Sequence, residues 1–418
     1  SMTVVAREGA VVRVSPWQTL TGGFAGLLLT DAGRVVFQDK IRGAPAASDM
    51  GYFSSPDGLA LELDSREGDA APGGGTFITH TGAPAADAQG RVYFRGQVSG
   101  LPAALDTGVW MRHGGALTRL FAEGQDAASL TGDPAWAGQM GAFLAAGGDG
   151  AAFALDLQNN PAVKTQRTDA ARNAAVISVD SAANAALVAR KGGGVPGVSG
   201  AQIYRFDGLA RSSTGAHALR VALRPAPLTS DEALLFEKAG SLQLVALEGV
   251  TVVTGSVTVA KFGHFHVTAA DEVVFLATLK GGGVSAANDG ALCRWTEAGG
   301  IELLAREGAP APGMGANYAV LQAVSVSPGG AVLLQTTLSG GRAGLLRDTG
   351  TGMEKVTATG DSILVDGAPR TILALSIHRD GVNPGGGGGG MGAAINDAGA
   401  ALSILSLGDG VHAARVWP

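Results

Sequence analysis

Between residues 257 and 308 the chain runs VTVAKFGHFHVTAADEVVFLATLKGGGVSAANDGALCRWTEAGGIELLAREG, and short apolar stretches alternate there with small and polar clusters. The stretches VAKFGHFHV, EVVFLATL, ALCRW and IELLAREG are rich in Val, Leu and Phe, which favour the half-buried surface of a sheet. The Ala, Asp, Asn and Gly clusters between them supply turns. No stretch sustains a helical period over several turns. The unit is therefore predicted to be four antiparallel strands.

Similar units recur along the chain. Gly9, Gly68, Gly124, Gly192, Gly249, Gly308 and Gly360 each end a related strand motif, at intervals of 52 to 68 residues. The step from Gly360 through the C-terminus back to Gly9 is 67 residues, so the repeat closes on the full length of 418. A cyclic repeat of this size predicts an all-β fold, a seven-bladed β-propeller of four-stranded blades. The blades fall at 10–68, 69–124, 125–192, 193–249, 250–308, 309–360, and 361–418 plus 1–9, all in a single domain, 1–418. GVHAARVWP at the end matches a third strand, and TVVAREG at 3–9 matches the missing fourth. The N-terminal strand is expected to complete the C-terminal blade, which removes exposed sheet edges.

Composition narrows the function classes. Only 16% of residues are charged, whereas 66 are glycine, as turn-dense sheet requires. A net charge of −6 argues against a general nucleic-acid binder, which needs a basic face. No transmembrane run of 18 apolar residues occurs. Cys293 is the only cysteine, so no intrachain disulfide can form. The opening Ser-Met reads as an expression scar. A monomer is expected.

REGDAAPGGGTF (66–77), GVSAANDGALCRW (283–295), AREGAPAPGMG (305–315) and NDAGAALSIL (396–405) resemble a bacterial tandem-repeat family. It is named for its Asn-x-x-Gly-x-x-x-Ala-Phe signature and includes the choice-of-anchor repeat proteins. The resemblance covers essentially the whole chain. It implies a propeller-like repeat architecture and a secreted, periplasmic or cell-surface location, and it implies no reaction. Only Asn396 fills the signature asparagine, and Glu272 stands where the fifth unit should have its glycine.

The repeated residues read first as scaffold. Arg66, Glu67 and Gly68 recur as Arg306, Glu307 and Gly308, where glycine can take the left-handed conformation that ends a strand. Trp110, Trp295 and Trp417 fall at one place on third strands and read as packing between blades. Asp31, Asp87 and Asp397 sit in the turn before the second strand, placed to bond backbone amides. The seventh unit carries an insertion with His378, Arg379, Asp380 and the glycine run 385–390, either a tolerated loop or a functional one over the axis.

Candidate chemistry lies where the repeat breaks. His80, His264, His266 and His378 fall in or beside first strands, which would line the channel, and His264 and His266 should share a face. Converging imidazoles suit a divalent transition metal or an acid–base pair, and these four are the candidate metal ligands and catalytic groups. The plainer reading makes them polar lining of a wet channel. Gln139, Arg205 and Gln322 occupy first strands too, and Arg205, Arg211, Arg220 and Arg379 could grip carboxylates. Trp17 and Trp136 lie off the repeated tryptophan position and either stack on sugar rings or simply pack. The channel mouth is thus expected to bind a glycan or small polar ligand. The alternative is a metal-assisted polysaccharide lyase on uronate sugars, an arrangement that resembles the oligogalacturonate lyases. Cys293 reads as a buried inert thiol.

Overall fold

The computed structural model describes residues 11, 18–21, 25–29, 34–55, 61–87, 89–160, 168–365, 367–377, 394–408 and 412–417. They form seven antiparallel sheets in chain order, spanning 19–66, 76–122, 136–190, 194–247, 252–306, 310–358 and 362–417. Among the described residues helix is confined to Ala128–Thr131 and two short 3-10 turns. From the second sheet on, neighbouring strands are consecutive in the chain, whereas in the first Thr19–Leu20 and Ala25–Leu29 both pair with Val35–Arg42.

The sheets hold four or five strands rather than a uniform four. The additional strands at Gly194–Val195, Val252–Thr254 and Pro310–Ala311 follow the unit-ending glycine and fold back on the first long strand of the next unit. In the seventh sheet the equivalent short strand, Ser362–Val365, is followed by three long ones. Residues 1–9, expected to supply the fourth, lie outside the described residues, as does Gly9.

The core is divided into layers between successive sheets. Tyr52 of the first sheet packs on Phe77, Phe94 and Trp110 of the second, while Tyr93 and Phe121 on the opposite face meet Met140 and Phe153 of the third. Further layers join the third sheet to the fourth, the fourth to the fifth, the fifth to the sixth and the sixth to the seventh. Both faces of an interior sheet are therefore apolar, which explains why the strands read as near-continuous hydrophobic runs.

The unit-ending glycines are joints between sheets. Gly68, Gly124, Gly192, Gly249, Gly308 and Gly360 have φ between +69° and +91°, as their place in the repeat predicts. Their N–H groups donate to the carbonyls of Phe77, Ala137, Ile203, Val259, Tyr318 and Ile372 on the next sheet at 2.7–2.8 Å. Those residues donate in return to carbonyls just after each glycine at 2.8–3.2 Å. At one joint the preceding glutamate adds to this: Glu307 accepts the N–H groups of Gly290 and Leu321, both at 3.0 Å.

A second repeated device is the turn between first and second strands. The side chains of Asp87, Ser212, Thr268, Ser327 and Asn396 each accept the backbone N–H four residues on, at 2.9–3.2 Å. The fourth residue of each turn, Gly90, Gly215, Asp271, Gly330 or Gly399, has φ between +63° and +99°. Asp271, and not Glu272, therefore fills the glycine position of the fifth unit. Aspartate tolerates that conformation better than other side chains do, so the sequence offset was one residue too far. Asp397 is likewise not the cap of its own turn, and instead accepts the N–H of Gly329 on the sixth sheet at 2.7 Å.

The tryptophans need one correction. Trp295 and Trp417 pair with Val273 and Ala401, the first residues of their second strands, whereas Trp110 pairs with Phe94, two residues deeper. Period-two alternation puts all three on the same face, which hid the difference.

Candidate functional site

One cavity between sheets contains Arg205. It measures about 410 Å³ and separates the third sheet from the first long strand of the fourth. On one wall, Asp156, Asn173 and Lys191 come from successive strands of the third sheet and its edge. On the other wall, Tyr204 and Arg205 project from the strand Val198–Arg211. A register shift between Ile203 and Arg205 falls within this stretch of the strand, and both Tyr204 and Arg205 are exposed beside the buried Ile203.

Tyr204 is a fixed platform. The Arg224 guanidinium stacks 3.9 Å from its ring centre, and the Lys191 ammonium lies 5.5 Å from it on the third-sheet side. Lys191 is itself anchored by the carbonyl of Ala170 at 3.0 Å and the Asn173 side chain at 2.8 Å. Arg205 is oriented by Asp207, with contacts of 2.5 and 3.0 Å, and that carboxylate raises its pKa. Three cations against two carboxylates, Asp156 and Asp207, surround one exposed aromatic face. Such a cleft can stack an apolar ring face while gripping a negative group at its edge.

Among the described residues His80, His264 and His266 form no common metal-binding group. His80 is buried between the first two sheets, with Nε2 2.8 Å from the Ser65 hydroxyl. The rings of Tyr52, Phe77 and Phe94 surround it at 4.7–5.5 Å. Burial pushes its pKa down to about 4. Two register shifts in the strand Thr76–Ala86 break simple alternation there and turn His80 into the core. His264 and His266 do not share an environment either: His264 is exposed and His266 buried, with His264 inside the register shift between Phe262 and Phe265 and His266 just after it. Burial carries His266 down to about 4. Among the described residues no three His, Cys, Asp or Glu side chains form a metal-binding group. His378, Arg379 and Trp17 lie outside the described residues.

The remaining candidates are scattered. Gln139 is exposed on Trp136–Gly147, but away from the lining of the cleft, and Trp136 starts that strand half-buried, paired with Gln158. Gln322 is exposed and accepts from Gln335 at 3.1 Å; Gln335 in turn accepts the N–H of Ile377 on the seventh sheet. Arg220 donates to the Phe262 and Asp207 carbonyls at 3.0 and 3.1 Å and ties the fourth sheet to the fifth. Cys293 is fully buried, and burial pushes its thiol up to about 12. Sequence reasoning missed Tyr204 and Lys191. Lys191 was visible as the residue that replaces the repeated glutamate before Gly192.

Consecutive meandering sheets stacked in chain order define a β-propeller. The chain belongs to the DUF7453 family, a family of unknown function, which matches residues 1–414. No curated protein matches it. Among solved structures it is similar to the β-propeller domain of the Trilobed protease from Pyrococcus furiosus, with 7% identity, 94% of this chain and 95% of that one covered, and a TM-score of 0.45. It is similar also to the Dos1 propeller, at 8% identity, 96% and 78% coverage and a TM-score of 0.41. The GH93 α-L-arabinofuranosidase of Fusarium graminearum in complex with arabinobiose gives 11%, 85% and 98%, and 0.34. At these levels nothing about ligand or reaction carries over. No helix among the described residues is long and apolar enough to cross a membrane.

Proposed function

We propose that this chain is a seven-bladed propeller of the periplasm or cell surface that binds an acidic glycan in the cleft between its third and fourth sheets. The carrying observation is the exposed Tyr204 ring, with the Arg224 guanidinium 3.9 Å and the Lys191 ammonium 5.5 Å from its centre and Arg205 beside it. A sugar ring would lie on the tyrosine face while its carboxylate meets Arg205 or Lys191. Calorimetric titration with oligogalacturonate tests this. Tyr204→Ala is expected to weaken binding at least tenfold and Arg205→Ala severalfold, with the affinity falling as salt rises. An unchanged dissociation constant in Tyr204→Ala would refute the site. A surface location rests on the resemblance to the choice-of-anchor repeat proteins, and periplasmic or surface fractionation of the native host would check it.

Ring closure by residues 3–9 belongs to the same reading. Among the described residues the strand His412–Trp417 has a neighbour on one side only, and Ile404 and Val416 remain exposed on the seventh sheet. Removing residues 1–9 is expected to lower the melting temperature, and an unaltered melting curve would argue against closure.

A further inference from the structure

A second cavity, about 550 Å³, opens at the turns of the second, third and fourth sheets, and two arginines reach it. Arg91 is neutralised: its guanidinium bonds Asp87 at 2.5 Å and Asp149, and also the Gln89 side chain and the Gly148 carbonyl, both at 3.0 Å. Arg211 is different. It is only 8% exposed, yet its partners are the Gly147 carbonyl at 2.9 Å and His217 Nε2 at 2.6 Å. The Arg211 donor makes that ring nitrogen an acceptor, and His217 Nδ1 faces Glu237 at 2.6 Å, so the imidazole is neutral with its proton on Nδ1. Burial holds the His217 pKa down against the opposing pull of Glu237. Among the described residues no carboxylate bonds the buried Arg211 directly; burial opposes its charge while Glu237, Asp149 and Asp87 favour it only from a distance, and an anion in the cavity would complete its partners.

The open end of that guanidinium points into the cavity. A Cβ on Gly215, a lining residue, would sit 3.5 Å from Arg211 Nη2. Ser213 and the side chain of Asp149 line the same space. Asp149 is 65% exposed, and its Oδ1 also accepts the Ser181 hydroxyl at 2.7 Å, which leaves Oδ2 toward solvent.

We infer that this cavity binds a small hydroxylated carboxylate, a uronate-type monomer, whose carboxylate meets Arg211 Nη2 and the Ser213 hydroxyl while a ligand hydroxyl donates to Asp149. The site is independent of the cleft at Tyr204, so the experiment starts from the Tyr204→Ala, Arg205→Ala double variant, in which that cleft is disabled. D-glucuronate and D-glucose are titrated calorimetrically into this protein. Glucuronate is expected to bind at least tenfold more tightly than glucose, and Arg211→Lys to weaken it at least tenfold, because an ammonium cannot keep the two neutral partners and reach the ligand at once. Ser213→Ala, which disturbs no bond of the fold, is expected to weaken glucuronate severalfold and serves if Arg211→Lys fails to fold. Equal binding of glucose and glucuronate, an unchanged constant in Ser213→Ala, or no glucuronate binding at millimolar concentration would each overturn the assignment.

Discussion

Gly249→Ala is expected to destabilise the protein by more than about 3 kcal/mol, whereas Gly360→Ala at the equivalent joint should cost about 1–2 kcal/mol. Both glycines have positive φ, +69° and +91°, and both donate to the next sheet at 2.7–2.8 Å. The backbone strain of a side chain is thus common to them. What differs is the space. A Cβ at 249 would overlap the Thr229 carbonyl oxygen, which belongs to a turn of the same sheet, while at 360 it meets only Arg342 Nε at 4.0 Å. The first clash is with backbone and can be relieved only by moving the joint. Urea unfolding of the two variants beside the parent decides the matter, and equal losses would contradict this account of the joints.

Stability is expected to fall by about 3 kcal/mol between pH 7 and pH 4.5. His80 and His266 have folded pKa values of about 4 because burial disfavours the charged ring, against 6.5 when free. Below pH 6.5 the unfolded chain takes up protons that the folded chain refuses, so both histidines drain stability as pH falls. Each contributes about 2.5 kcal/mol by pH 4.5. Asp64 works in the opposite direction: burial raises it to about 6 from 3.8, the folded state takes up its proton first, and stability rises by about 2 kcal/mol over the same window. Asp64→Asn removes that compensation and should steepen the decline. Unfolding free energies at pH 7, 6 and 4.5 measure it, and a flat profile would show that His80 and His266 are not buried as neutral rings.

The joints and the number of sheets were legible because they depend on backbone conformation that only certain residues adopt. Six glycines with positive φ had to recur at one place in each unit, and they do. The turn position was legible to within one residue, and it slipped where Asp271 took the glycine conformation. Side-chain direction was not legible. His80 lies in a strand with two register shifts, another falls at His264 between Phe262 and Phe265, and a shift of one residue exchanges one face for the other without changing any propensity. The Tyr204 cleft was half visible: Arg205 was singled out, but the lysine that faces it lies on a different sheet, and no pattern along one strand reports a neighbour across a gap. The Arg211–His217 pair was not legible either: His217 begins one strand and Arg211 ends the preceding one across a tight turn.

Because the joints are made by main-chain atoms in both directions, their geometry places few demands on the surrounding residues. Lys191 and Thr359 stand where other units carry glutamate, and Gly192 and Gly360 still make the same bond. One unit can accordingly drift toward a new ligand without disturbing how it is mounted on the next. A change of residues within one module therefore leaves the mounting of its neighbours intact.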